Sequence, residues 1–265
     1  MRTPMRTSDL PEFAQNWAFF LDVDGTLLGF EERPETIDVG PALIELLSEL
    51  TVVTAGAVAL ISGRPVHSID RLFAPLVLPV AGQHGFERRG AKGELIHREV
   101  ETAPLHKLRE ILREFVHEHP QAFIEDKTVA LALHFRRAPR LESDVERLAS
   151  RLAPELGSHF HLQRGKMVLE IKPSGHDKGT AIEEFMAEAP FQGRIPVFLG
   201  DDETDEDGFR KVNQMNGVSL KVGPGPTVAS WRLDHVEASV RWLQGYLQRF
   251  REGDERIDDT NADES

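Results

Sequence analysis

Short apolar runs alternate with helix-spaced segments along this chain, and the alternation breaks once, in the middle. Trp17 to Val23 is apolar and aromatic, short for a helix, and followed by Gly25, which predicts a buried strand. Pro41 opens a segment with Leu43, Leu46, Leu47 and Leu50 at helical spacing, as proline suits a first helical turn. Val58 to Ile61 predicts a second strand ending at Ser62-Gly63, and Pro65 to Phe73 a second helix. Strand and helix in turn are the pattern of a parallel α/β sheet. From Leu105 to Ile171 the pattern changes: helices over 105–117 and 141–152, with strands at 129–135, 159–162 and 168–171, form a small α+β set. After Pro173 the first pattern returns, with a helix from Lys178 to Ala187, a strand from Pro196 to Gly200, a helix after Asp205 and a strand from Gly217 to Val222. The expected fold is α/β: a Rossmann-like core with a parallel sheet, made of 1–102 and 171–250 and interrupted by a smaller α+β cap at 103–170. Residues 251–265 read as an acidic disordered tail, because Asp254, Glu255, Asp258, Asp259, Asp263 and Glu264 leave little apolar surface to bury.

Composition removes several classes of function. A chain of 265 residues, 40% of them hydrophobic, can bury one large core or two smaller ones. A net charge of -13 argues against nucleic acid or an anionic membrane as partner, since each demands a basic footprint. With no cysteine there is neither a disulfide framework nor a thiolate metal site. Arg2 and Arg6 have no apolar stretch behind them, and the run from Val52 to Ile61 falls short of the ~20 residues of a membrane span, so a cytoplasmic protein is expected. The eleven histidines include no His-Glu-x-x-His pair, and zinc is not expected.

Phe19-Phe20-Leu21-Asp22-Val23-Asp24-Gly25-Thr26 places two carboxylates two residues apart at the end of the first strand, where open α/β sheets bind ligands. Taken alone, Asp-Gly after a strand reads equally well as a hairpin turn with two solvated acids. An EF-hand fits poorly, for lack of the spaced oxygen ligands. The chemistry that needs both acids is phosphoryl transfer through an aspartyl phosphate. Asp22 would attack phosphorus, while Asp24 would protonate the leaving oxygen and later deprotonate the attacking water. Two anions facing a phosphate also require a cation, and Mg2+ suits carboxylates combined with phosphate oxygens.

This acidic pair with Gly25-Thr26 resembles the first motif of the haloacid dehalogenase superfamily, and three further motifs follow in the family's order. Leu60-Ile61-Ser62-Gly63-Arg64 resembles the second, in which Ser62 would meet the phosphate through its hydroxyl and backbone N–H, although alone it reads as a helix N-cap before Pro65. His176-Asp177-Lys178-Gly179 resembles the third, with Lys178 holding nucleophile and phosphate together; an isolated lysine there reads as solvated surface. Leu199-Gly200-Asp201-Asp202-Glu203-Thr204-Asp205-Glu206 resembles the fourth, with Asp201 as direct metal ligand and either Asp202 or Asp205 supporting the metal shell or Lys178. The resemblance thus implies a metal set drawn from Asp22, Asp24, Asp201, Asp202 and Asp205. Four such motifs, each after a predicted strand or opening a helix, make a phosphatase core of this superfamily the expected fold.

Beyond the motifs, Ala81-Gly82-Gln83-His84-Gly85-Phe86-Glu87-Arg88-Arg89, Leu131-Ala132-Leu133-His134-Phe135-Arg136, and Gly165-Lys166 leading to Glu170-Ile171-Lys172-Pro173 resemble the trehalose-6-phosphate phosphatase family over roughly Trp17 to Leu247. The resemblance implies that Glu125, Lys127, Arg136, Lys166 and Glu170 of the cap contact a disaccharide, with Gly63, Arg64, His84 and Arg88 also binding substrate, the last two near a core–cap seam. It implies hydrolysis of trehalose 6-phosphate to trehalose and phosphate as the last step of trehalose biosynthesis, by a monomer linked functionally to a trehalose-6-phosphate synthase. The alternatives are a phosphatase of another sugar phosphate, of the sucrose phosphate or mannosyl phosphoglycerate type, a phospho-acceptor switch, and a phosphotransferase to sugar. The acid/base role open to Asp24 weighs against a switch, which gains nothing from rapid turnover.

Overall fold

The first strand, β1 (Trp17–Leu21), is buried along its whole length because it lies mid-sheet with helices on both faces. The structure is a computed structural model that describes residues 10–29, 39–99, 102–127, 129–165 and 167–262. It divides into two units, one formed by His97–His176 and the other by the chain on either side.

In the first unit α1 (Pro41–Val53), β2 (Val58–Ile61), α2 (Val66–Phe73), β3 (Val80–Gly82), β4 (Glu87–Arg89) and β5 (Leu95–His97) follow β1. In the second unit come α3 (Ala103–Glu118), β6 (Phe123–Asp126), β7 (Leu131–His134), α4 (Glu142–Leu152), β8 (Phe160–Gly165) and β9 (Val168–Pro173). The first unit resumes with α5 (Lys178–Met186), β10 (Ile195–Gly200), α6 (Asp205–Gln214), β11 (Val218–Val222), β12 (Trp231–Leu233) and α7 (Val236–Ala262).

The first unit's sheet runs β12-β11-β10-β1-β2-β3-β4-β5, parallel from β12 to β3, with β4 antiparallel to β3. Strand residues alternate between faces, so Trp17, Phe19 and Leu21 join one core with Leu47, Leu50, Ile69, Phe73 and Leu243, while Ala18 and Phe20 join another with Ile182, Phe185, Phe209 and Val212. Helices α1, α2 and α7 therefore cover one face and α5 and α6 the other, the arrangement that lets parallel strands be apolar throughout. Register does the rest of the positioning. Leu21 stands level with Leu60 of β2 and Leu199 of β10, so Asp22, Ser62 and Asp201 all emerge at the same edge.

The second unit is an antiparallel sheet ordered β6-β7-β9-β8. Leu131, Leu133, Leu169 and Ile171 pack one face of it against Leu108, Leu112, Val145 and Leu148 of α3 and α4. Its limits lie outside the expected 103–170, because β9 runs on to Pro173 and Ser174 N–H still donates to His159 O at 2.8 Å. The expectation of a disordered tail also meets a difference: α7 continues helical to Ala262, with Arg251 bonded to Glu49 at 2.7 Å. Composition weighs burial alone, whereas a helix already nucleated on the core extends at little cost per residue. Residues 263–265 lie outside the described residues. Among the described residues no helix is long and apolar enough to cross a membrane.

Candidate active site

Asp22 ends β1 almost wholly buried, and its Oδ1 accepts a hydrogen bond from Lys178 Nζ at 2.8 Å. Lys178 is the first residue of α5, a position fixed by a capping box in which Asp177 Oδ1 accepts from Thr180 N–H and Thr180 Oγ1 accepts from Asp177 N–H. The same ammonium donates to Asp205 Oδ1 at 2.6 Å. Asp205 has no exposed surface, and its Oδ2 accepts from the backbone N–H groups of Asp201 and Asp202 at 2.8 and 2.9 Å. One lysine thus ties the end of β1 to the loop after β10. A Cβ on Gly200 would lie 2.3 Å from Asp205 Cγ, so this approach needs glycine.

Carboxylate oxygens of Asp22, Asp201 and Asp205 lie within 4.8 Å of one another, a group that could hold a metal ion. Asp201 Oδ1 is buried without a hydrogen-bond partner. Gly25, at φ +87°, leaves room for that carboxylate, since a Cβ there would sit 2.2 Å from Asp201 Oδ2.

Burial and the charges of Asp201 and Asp202 outweigh the attraction of Lys178 and push Asp22 up to about 7. Burial, Asp205 and Asp202 push Asp201 up to about 7 as well. Burial opposes the charge on Lys178, yet Asp205, Asp22 and Asp202 hold it well above the usual lysine range. Burial raises Asp202 too, but Lys178 and hydrogen bonds from Thr204 and Asp205 bring it below its ordinary value. Negative charge is in excess here, and every candidate donor is a hard oxygen, which favours a hard divalent cation.

The sequence-predicted residues divide by task. Asp22, Lys178, Asp201 and Asp205 come together, and Asp205 is the acid that supports Lys178. Asp202 Oδ1 instead accepts from Thr204 N–H and Oγ1–H, capping the turn into α6, and Asp24 is absent from the converging carboxylates. Arg64 donates to Asp24 through Nε at 2.7 Å and Nη2 at 2.6 Å, a two-pronged grip that fixes the carboxylate plane. The hairpin reading of Asp-Gly fails, because both neighbours of β1 are parallel to it. Ser62 is not a helix cap, and Pro65 stands at that position before α2. Its backbone N–H donates to Ala81 O at 2.8 Å and so does not serve a phosphate, while its Oγ accepts from Arg64 N–H at 3.1 Å, leaving the O–H to donate. Gly63 sits between them in the β2–α2 loop.

Arg88 has a task other than the one expected. It is buried on β4 with its guanidinium over the Phe185 ring at 4.0 Å and bonded to Glu188, so a buried cation has found its countercharge just beyond the C-terminus of α5. Lys166 and the side chain of His84 lie outside the described residues. Glu87 was missed: its Oε2 accepts from Val66 N–H at 2.8 Å and its Oε1 from Gln83 Nε2 at 2.7 Å, while Gln83 N–H donates to Arg64 O. These bonds brace the loop carrying Ser62 and Arg64. The signal was present as an acid and an amide four residues apart in a stretch punctuated by Gly82, Gly85 and Gly90.

In the second unit, Glu125, Ala132, Glu170 and Gln163 stand in one row across β6, β7, β9 and β8, on the face away from α3 and α4. Lys127 Nζ donates to Glu170 Oε1 at 2.6 Å, and Lys172 Nζ to Gln163 Oε1 at 2.7 Å. Arg136 is exposed in the turn after β7. Three of the residues implied as sugar readers thus share one polar sheet face.

A family model described as trehalose-phosphatase matches residues 20–237, a span that includes every residue of the candidate site. The chain belongs to the trehalose-phosphatase family. Trehalose-6-phosphate phosphatase of Escherichia coli (strain K12) is 42% identical over 255 residues, 95% of each chain. A probable trehalose-phosphate phosphatase of Sinorhizobium fredii is 40% identical over 88% of this chain and 86% of its own. A bifunctional trehalose-6-phosphate synthase/phosphatase of Thermoproteus tenax is 33% identical over 90% of this chain, which spans 32% of that relative. The same fold is seen in the C-terminal domain of trehalose-6-phosphate phosphatase from C. albicans, with a TM-score of 0.82, 22% identity, and coverage of 88% of this chain and 92% of that one.

Proposed function

We propose that this chain hydrolyses trehalose 6-phosphate to trehalose and phosphate with Mg2+ as cofactor, through an aspartyl phosphate on Asp22. The observation that carries the chemistry is the buried Asp22–Lys178–Asp205 ladder beside an Asp201 oxygen without a partner. The substrate follows from membership of the family and from the activity named for the relatives 42% and 40% identical. Asp22, Asp201 and Asp205 fit a hard cation, being three carboxylates whose charge Lys178 offsets only in part. Bound there, Mg2+ would draw charge from the phosphate oxygens and offset the repulsion between phosphate and carboxylates.

A carboxylate oxygen of Asp22 attacks phosphorus, the bond to the sugar oxygen breaks, and Asp24 gives that oxygen a proton so that trehalose departs neutral. Water then attacks phosphorus, Asp24 takes its proton, and Asp22 leaves as carboxylate with inorganic phosphate released. Lys178 fixes the attacking carboxylate, Ser62 O–H donates to the phosphate, and Arg64 orients Asp24. Glu125, Lys127, Arg136 and Glu170 of the second unit read the sugar hydroxyls, since charged donors and acceptors left unpaired by a wrong sugar discriminate strongly. The substrate comes from a glycosyl-transferring synthase, a reaction joined to this one in the bifunctional relative.

The test is phosphate release from trehalose 6-phosphate beside sucrose, glucose and mannose phosphates, with magnesium and with chelator, for wild type and Asp22→Asn. Release confined to the trehalose ester, dependent on magnesium and lost in Asp22→Asn is expected. Release from another ester instead overturns the substrate, and turnover retained by Asp22→Asn overturns the mechanism.

A further inference from the structure

Phe123 is a large apolar side chain left 48% exposed on β6, an edge strand, and nothing in the hydrolysis proposed above uses it. Its partner in register is His134, whose ring lies 4.7 Å from it at an interplanar angle of 12°. The same imidazole reaches the next residue on that face: His134 Nε2 lies 2.8 Å from Glu125 Oε2. An ionised carboxylate can only accept, so Nε2 carries the proton and donates. Stacking fixes the plane of the imidazole, and the hydrogen bond fixes the carboxylate it meets.

Glu125 gains order from that bond. Its side chain is 44% exposed on an edge strand, where a glutamate samples several rotamers. Across the sheet, Ala132 stands opposite both Glu125 and Glu170, so a low lane separates the two acids, and Lys127 spans it to Glu170. Alanine is a poor strand former, and at this register it keeps the lane clear where a β-branched residue would fill it. The row Phe123, His134 and Val168 forms one end of the lane.

We infer that His134, held flat against Phe123, is a positioning residue that pre-orders Glu125 for the hydroxyls of the sugar. The inference rests on the sugar-reading role proposed above and adds residues to it. Selectivity among sugar phosphates then depends on an imidazole with no part in the chemical steps. Fixing the rotamer beforehand removes an ordering cost that substrate binding must otherwise meet.

The experiment uses the full chain with saturating magnesium, comparing His134→Leu, His134→Gln, Glu125→Gln and the His134→Leu/Glu125→Gln double variant on trehalose 6-phosphate and on p-nitrophenyl phosphate, which carries no sugar. His134→Leu is expected to raise KM for the sugar ester about tenfold with kcat within about twofold, and to leave the aryl ester unchanged. His134→Gln keeps a donor and is expected to recover most of the loss. Because His134 acts through Glu125, the double variant should be no worse than Glu125→Gln. Equal losses on both esters, an unchanged KM, or additive losses in the double variant would each overturn the inference. A wild type active on p-nitrophenyl phosphate but not on trehalose 6-phosphate overturns the substrate reading itself, an outcome distinct from those three.

Discussion

Replacing Asp201 by asparagine should stabilise the metal-free protein while abolishing its activity. Burial, Asp205 and Asp202 push the Asp201 carboxyl from 3.8 up to about 7, so the folded chain binds that proton more tightly than the unfolded chain does. Between about pH 4 and pH 7 the native state therefore holds more protons, and stability falls as pH rises through this window, levelling above it. Ionising the group inside the cluster costs on the order of 4 kcal/mol at pH 8. The substitution removes that charge and breaks no hydrogen bond, because Asp201 Oδ1 has no partner to lose. Urea unfolding in chelator at pH 8 should show Asp201→Asn more stable by up to roughly 4 kcal/mol, with the gap more than halved at pH 5. Adding magnesium should reverse the order at pH 8, since a cation that binds only the folded wild type adds stability by mass action. Asp22 contributes a slope of the same sign in both proteins, a smaller one in the variant, where the Asp201 charge no longer pushes its carboxyl up. A less stable variant in chelator at pH 8, or a gap independent of pH, would show that the cluster is not charge-frustrated and that the argument is mistaken.

Lys178→Met should cost about 3–5 kcal/mol at pH 8, because it leaves Asp22 and Asp205 buried without their ammonium, and less at pH 5, where Asp22 holds a proton; chemical denaturation at both values checks this. Gly25→Ala should combine about 1–2 kcal/mol of left-handed backbone strain with displacement of the Asp201 carboxylate, so calorimetric titration should find magnesium binding weakened well beyond what the loss of stability explains. Arg64→Met removes a partly exposed ion pair and should change stability by no more than about 1 kcal/mol, yet lower kcat on the order of tenfold by freeing Asp24, a split that steady-state kinetics and thermal melts will resolve.

Much of the site was legible because chemistry and chain order coincide in it. Asp22, Lys178 and Asp201 each sit at a strand end or helix start that local pattern already marks, and a parallel sheet brings such ends to one edge whatever the loops do. The choice between Asp202 and Asp205 was not legible. Both follow the same strand, and only the turn decides that Asp202 caps Thr204 while Asp205 reaches back to Lys178. Arg88 misled for a related reason: sequence marks a charged residue in a motif but not the strand face it occupies, and its countercharges, Glu184 on α5 and Glu188 just beyond it, lie about 100 residues away in the chain.

By itself, then, the sequence determined what depends on neighbours along the chain. Apolar runs set β1, β2 and β10, the change of pattern after Leu105 set an inserted α+β unit, and four short motifs set a phosphatase core. Tertiary structure decided what depends on pairs distant in sequence. It placed Asp24 in the grip of Arg64, turned the Ser62 backbone N–H away to Ala81, and set Glu125, Ala132 and Glu170 in one row. It also carried α7 to Ala262 through residues that composition alone would leave without structure. The physical reason is range: propensity and periodicity act over a few residues, whereas a buried charge takes its partner from wherever the fold brings one within about 3 Å.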